Sequence, residues 1–145
     1  MLSKGFAALR KRASDQAVPL YAQFEVTHRC NLRCRHCYLE GHHEPAGREL
    51  TLAEVADVLD QLADLGTLFL TFTGGEFFVR EDAFGLLAAA RRRQFACTVL
   101  TNGTLLDAEG VCRLAGLLPY QVHVTLLGTE DVHDRIAGQP GSFAR

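Results

Sequence analysis

Three cysteines within eight residues are the strongest chemical feature of the chain: Cys30, Cys34 and Cys37, in the run CNLRCRHC, have the spacing CxxxCxxC. Thiolates are the usual ligands of iron-sulfur clusters, and a loop this short can wrap three of them around one cube. Only three are offered. Cys97 and Cys112 fall in the middle of a predicted strand and a predicted helix, where they read as small buried hydrophobes. One iron of a four-iron cube would then lack a protein ligand and stay open to a small molecule. Two other chemistries use the same residue types. A structural zinc site would add His28 or His36, although such sites usually pair two CxxC-like knuckles across a longer gap. Cys34 and Cys37 also form a CxxC redox pair, but that motif opens a helix and has no third cysteine upstream. Asn31, Arg33, Arg35 and His36 make the loop polar, which argues against three unrelated buried cysteines. The two arginines either offset thiolate charge or form a solvated basic loop.

Further turns carry weaker signals. In Gly74-Gly75-Glu76 the glycines allow close backbone approach to a ligand, and the nearby acceptors can meet an ammonium group. Gly and an exposed Glu also end many strands for no other purpose. Thr101-Asn102-Gly103 favours a tight turn. Thr125 offers a hydroxyl near the end of a fourth apolar run. His133, Asp134 and Arg135 fall on a predicted helix and read as a solvated face.

The elements that must position these groups follow from periodicity. Tyr21–Thr27 alternates as a strand and runs straight into the cysteine loop. After a Gly-, His- and Pro-rich loop from Gly41 to Glu49, Thr51 and Glu54 have capping-box spacing, with Leu52, Val55, Leu59 and Leu62 on one helical face ended by Gly66. Strands are then predicted over 68–73, 95–100 and 121–127, with helices over 82–93 and 107–117 between them. This is βα-unit spacing, so the expected architecture is α/β with a parallel sheet and right-handed crossovers. In such folds ligands sit at the carboxyl ends of the strands, where all of these motifs lie.

Bulk properties narrow the class. The 145 residues are 48% hydrophobic and 22% charged, within the ordinary globular range. A net charge of -2 and a pI near 6.3 give no basic balance of the kind that marks nucleic-acid binding. No apolar run approaches the ~18 residues of a spanning helix, and the basic N-terminus is not followed by a signal-peptide core. A cytoplasmic protein is expected, with neither nucleic acid nor membrane as partner.

The order strand, CxxxCxxC, strand, GGE, strand, TNG, strand resembles the radical S-adenosylmethionine (radical SAM) family over about residues 20–143. The resemblance implies a partial TIM-like (β/α) barrel of which this chain supplies about the first four βα units, with residues 1–19 as a lead-in and 20–145 as the core. It implies a 4Fe-4S cluster on Cys30, Cys34 and Cys37, whose open iron takes the amino and carboxylate groups of S-adenosylmethionine. An electron, from a donor such as flavodoxin or ferredoxin, then splits the sulfonium and yields a 5'-deoxyadenosyl radical. By the same resemblance Gly74, Gly75 and Glu76 bind the cofactor's amino group, Asn102 offers a polar contact, and Thr125 binds its carboxylate or ribose. The segment HVTLLGTEDVHDRIAGQPGSF is similar to SPASM- or Twitch-type members that modify peptides and proteins, with Thr125 for the usual Ser and Leu127 for the usual Asp. Phe77 stands where many members have Pro, which should leave Glu76 less constrained. The strand 121–127 would form an apolar edge, and Gly141-Ser142-Phe143 reads as a turn and N-cap opening a further helix. Both features point to a core truncated at its C-terminal end. Competing readings are an iron-sulfur electron-transfer module that binds no S-adenosylmethionine, and an inactive gene fragment.

Overall fold

Each short apolar run becomes one strand of a parallel sheet, and each amphipathic run becomes a helix between two strands. The computed structural model describes residues 4–39 and 47–145, so most of the predicted loop from Gly41 to Glu49 lies outside the described residues. In chain order the elements are α1 (Lys4–Asp15), β1 (Tyr21–Thr27), α2 (Leu52–Asp64), β2 (Phe69–Gly74), a 3-10 turn (Phe77–Val79), α3 (Ala83–Arg92), β3 (Ala96–Thr101), α4 (Ala108–Gly116), β4 (Gln121–Val124) and α5 (Glu130–Ala137). The sheet order is β1-β2-β3-β4, with every neighbouring pair parallel. Among the described residues no helix is long and apolar enough to cross a membrane.

Alternation along the strands decides which face is covered. Leu70 and Phe72 of β2 and Cys97 and Val99 of β3 are buried in one core with Val55 and Leu59 of α2 and Leu86 and Leu87 of α3. The capping box at the start of α2 forms as its spacing predicts: the Thr51 side chain accepts from the Glu54 amide, and Glu54 accepts from the Thr51 amide. Phe69 stacks on Tyr21 at 4.7 Å and meets Phe6 of α1 edge-on, so the lead-in helix packs against the sheet.

Three sequence expectations change. Cys112 is exposed, because α4 turns Leu114 into the core and two residues along a helix is more than half a turn. Phe77 does not free Glu76: its side chain is fully buried, stacked on Phe72, and Glu76 caps the 3-10 turn in an extended conformation. β4 stops at Val124 rather than Leu127. The Thr125 amide makes one more bond, to the Thr101 carbonyl, after which the Leu127 amide turns away to His133. Beyond α5, Ser142 is buried and its hydroxyl donates back to Asp134.

Candidate functional site

The carboxyl ends of the strands meet at a cavity of about 220 Å³. Cys30, Cys34 and Cys37 line it from the loop after β1, Gly74 and Gly75 from the end of β2, and Asn102 and Thr125 from beyond β3 and β4. A larger cavity of about 290 Å³ lies between β1 and the start of α2, lined by residues that include Glu25, His28, Arg48 and Glu49, and none of the three thiols lines it.

Backbone bonds shape the cysteine loop. As β1 ends, the Thr27 carbonyl accepts from the Gly75 amide and the Arg29 carbonyl from the Glu76 amide, both at 2.9 Å. The glycine pair allows this approach: a Cβ on Gly74 would strike the Thr27 carbonyl, and one on Gly75 the Arg29 carbonyl. Gly74 also has φ +134°, where an L side chain is strained. Past Cys30, the Asn31 side chain accepts from the Asn102 amide group at 2.9 Å and donates to the Thr104 hydroxyl at 2.7 Å. The Arg33 and Arg35 amides then donate to the carbonyls of Ala137 and Ile136, at the end of α5. Their guanidinium groups lie on exposed residues, as a solvated basic loop requires. Cys34 and Cys37 close a turn, with the Cys37 amide donating to the Cys34 carbonyl at 3.1 Å, rather than opening a helix as a redox CxxC does.

The three thiols are free and partly buried. Burial pushes the Cys30 and Cys34 thiols above their ordinary 9.0, and neighbouring thiolates push the same way. Among the described residues no three His, Cys, Asp or Glu side chains converge on a point that one metal ion would fill. All three thiols nonetheless line the same cavity.

Glu76 departs from expectation. It is 1% exposed, and its carboxylate is taken up by protein donors: the Phe78 amide at 3.0 Å, the Thr101 hydroxyl at 2.8 Å and the Asn102 amide at 2.7 Å. Burial raises its pKa, partly opposed by these bonds. Glu76 therefore stands behind the cavity and joins the ends of β2 and β3. The Asn102 side chain, through its bonds to Asn31 and Thr104, ties the β3 turn to the cysteine loop. Thr125 differs: among the described residues no partner is found for its hydroxyl, and the residue is exposed on the cavity.

Arg29 grips Glu49 through two bonds of 3.0 Å, and Arg80, 5% exposed, lies 3.6 Å from Glu49 while gripping Asp82 and donating to the Val26 and Leu50 carbonyls. This clasp fixes the exit of β1 from outside.

Sequence reasoning set His133 aside as part of a solvated face. It is 2% exposed and lines the cavity. The usable signal was its spacing from Ala137, four residues on and also buried, which puts both on the inward face of α5.

With this geometry in hand, the comparisons decide the family. The profile of the radical SAM superfamily matches residues 24–145. The chain belongs to that superfamily. It is 38% identical over 139 residues to the antilisterial bacteriocin subtilosin biosynthesis protein AlbA of Bacillus subtilis, covering 92% of this chain and 30% of that protein. It is 34% identical over 121 residues to the AdoMet-dependent heme synthase of Nitratidesulfovibrio vulgaris, covering 83% of this chain and 33% of that protein. The structure of Streptococcus suis SuiB bound to its precursor peptide SuiA superposes with a TM-score of 0.76 at 20% identity, over 97% of this chain and 34% of that one. This radical SAM chain thus spans about a third of the length of the relatives it matches. The four-stranded parallel sheet is the corresponding part of a radical SAM core, a partial TIM-like barrel.

Proposed function

We propose that the chain is the cluster- and cofactor-binding part of a radical SAM enzyme that modifies a peptide or protein. The observation that carries this reading is the convergence of Cys30, Cys34, Cys37, the Gly74-Gly75 turn and Thr125 on one cavity at the carboxyl ends of a parallel sheet. The donor set fits a 4Fe-4S cluster: three free thiols line one cavity, soft thiolates are the ligands such a cluster takes, and three of them would leave one iron for S-adenosylmethionine. When bound, the pair supplies a 5'-deoxyadenosyl radical able to abstract hydrogen from a substrate, after an electron arrives from a donor such as flavodoxin or ferredoxin. The chain's own residues bind, orient and exclude water. Cys30, Cys34 and Cys37 hold the cluster. The carbonyl groups of the Gly74-Gly75 turn accept from the cofactor's ammonium, and the Thr125 hydroxyl binds its carboxylate or ribose. Glu76 and Asn102 act at one remove, by fixing the turns that carry these contacts.

A peptide or protein substrate is supported by the identity to AlbA and by SuiB, whose structure holds a precursor peptide. A tetrapyrrole is the second reading, favoured by the identity to the heme synthase. Anaerobic reconstitution with iron and sulfide, followed by spectra with and without S-adenosylmethionine, tests the site. Alanine at Cys30, Cys34 or Cys37 should abolish the cluster, while alanine at Cys97 or Cys112 should leave it. Retention in Cys34→Ala together with loss in Cys97→Ala would sink the ligand assignment. A cluster whose spectrum ignores S-adenosylmethionine would turn the reading toward an electron-transfer module.

A further inference from the structure

His133 carries a buried polar atom with no partner in the protein. Its Nδ1 accepts a hydrogen bond from the Leu127 amide at 3.2 Å, and since that amide is always a donor, Nδ1 holds no proton. In the neutral ring the hydrogen is therefore on Nε2. Nε2 is fully buried, and among the described residues it has no hydrogen-bond partner. A buried donor left unpaired is costly. The ring is held in place all the same. Phe143 meets it edge-on at 5.8 Å, and Phe143 is itself fixed by its amide donating to Asp134 at 2.9 Å. Polar groups share the cavity that His133 lines, among them the Thr125 hydroxyl and the three thiols, but among the described residues none lies within hydrogen-bonding distance of Nε2.

From this geometry we infer that His133 is a hydrogen-bond donor to the occupant of the cavity, reaching through Nε2–H to an electron-rich acceptor, either a sulfur of the cluster or an oxygen of S-adenosylmethionine. The inference rests on the reading of the site proposed above. Its chemistry is specific: a neutral donor favours an anionic acceptor and brings no additional charge to a site that must also take a sulfonium cation. A hydrogen bond to cluster sulfur would raise the reduction potential, and one to a carboxylate would strengthen cofactor binding.

Two substitutions separate this role from a structural one. In His133→Asn the side-chain oxygen can replace Nδ1 as acceptor for Leu127 while the side chain is too short to supply the Nε2 donor. In His133→Gln the amide nitrogen extends toward the Nε2 position. The anaerobically reconstituted protein is assayed for iron and sulfide content, for the midpoint potential of the cluster without S-adenosylmethionine, and for the affinity of the loaded protein for S-adenosylmethionine. His133→Asn should keep its cluster and show either a lower potential, identifying sulfur as the acceptor, or roughly tenfold weaker cofactor binding, identifying oxygen. His133→Gln should recover part of whichever property fell. An Asn variant equal to the parent in both measurements overturns the inference. So does an Asn variant that cannot hold a cluster, since His133 would then be structural. A parent protein that takes up no cluster, or binds no S-adenosylmethionine, instead fails the proposed function itself.

Discussion

Glu76 spends its carboxylate inside the protein, joining two strand ends, and does not line the cavity. Its two oxygens accept three hydrogen bonds, two of them from backbone amides, and link the ends of β2 and β3. In Glu76→Gln one of those donors must confront an NH2 group, so the variant should lose about 1–3 kcal/mol, read as a lower denaturant midpoint at unchanged slope. An unchanged midpoint would show that these bonds add nothing net. The cysteine triad was legible because its spacing is local and holds whatever the rest of the chain does. The orientation of Glu76 was not, because it depends on contacts far along the chain, with Thr101 and Asn102, and the burial of His133 showed only in its spacing from Ala137. Cys112 was misread for a related reason: mid-helix placement does not say which side of the helix faces in.

At the scale of elements, α5 holds the cysteine loop without lining the cavity at its C-terminal end. Gly138 ends that helix at φ +71°, and a Cβ there would press on the Arg33 carbonyl. Gly138→Ala should therefore lower cluster loading severalfold, although no ligand is touched. Gly141→Ala has a similar φ of +76° but open space around the added carbon, and it should load normally. Equal loading of the two proteins would show that the loop tolerates displacement by α5. The clasp on the exit of β1 gives a pH dependence. The hydrogen bonds from Arg29 hold Glu49 below its ordinary 4.5, and those from Arg80 hold Asp82 below its ordinary 3.8. Because the folded values are the lower ones, this stabilisation is complete above about pH 4.5 and is lost as pH falls through the folded values. Glu76, with its raised value, works in the opposite direction, so the clasp is best isolated by comparison with Glu49→Gln. Thermal midpoints measured from pH 7 to pH 3 should fall less steeply for that variant. Parallel curves would remove Glu49 from the account. The capping box of α2 could be read directly, since Thr51 and Glu54 are three residues apart, whereas the clasp joins side chains from separate segments and has no spacing to betray it.

For the whole molecule, the strand-helix alternation was enough to anticipate a parallel sheet, and its edge follows from the observed order β1-β2-β3-β4. Among the described residues β4 pairs with β3 alone, and Val122 and Val124 are exposed on it. An unpaired apolar edge invites another strand. The 145-residue chain on its own should therefore associate in a concentration-dependent way in sedimentation experiments, and Val124→Lys should reduce that association. A parent chain that sediments as a monomer at every concentration would mean that the edge is protected. The contacts holding the cysteine loop have a further consequence, in time rather than space. Asn31 and its partner Asn102 are 71 residues apart, and the carbonyls that hold Arg33 and Arg35 come later still. At ribosomal rates of roughly 5–20 residues per second, the thiols emerge on the order of ten seconds before the groups that fold their loop are made. Through that interval Cys30, Cys34 and Cys37 belong to an unfolded nascent segment, open to oxidation and to stray metal ions. On the reading proposed above, the loop that would receive a cluster is complete only once α5 has left the ribosome.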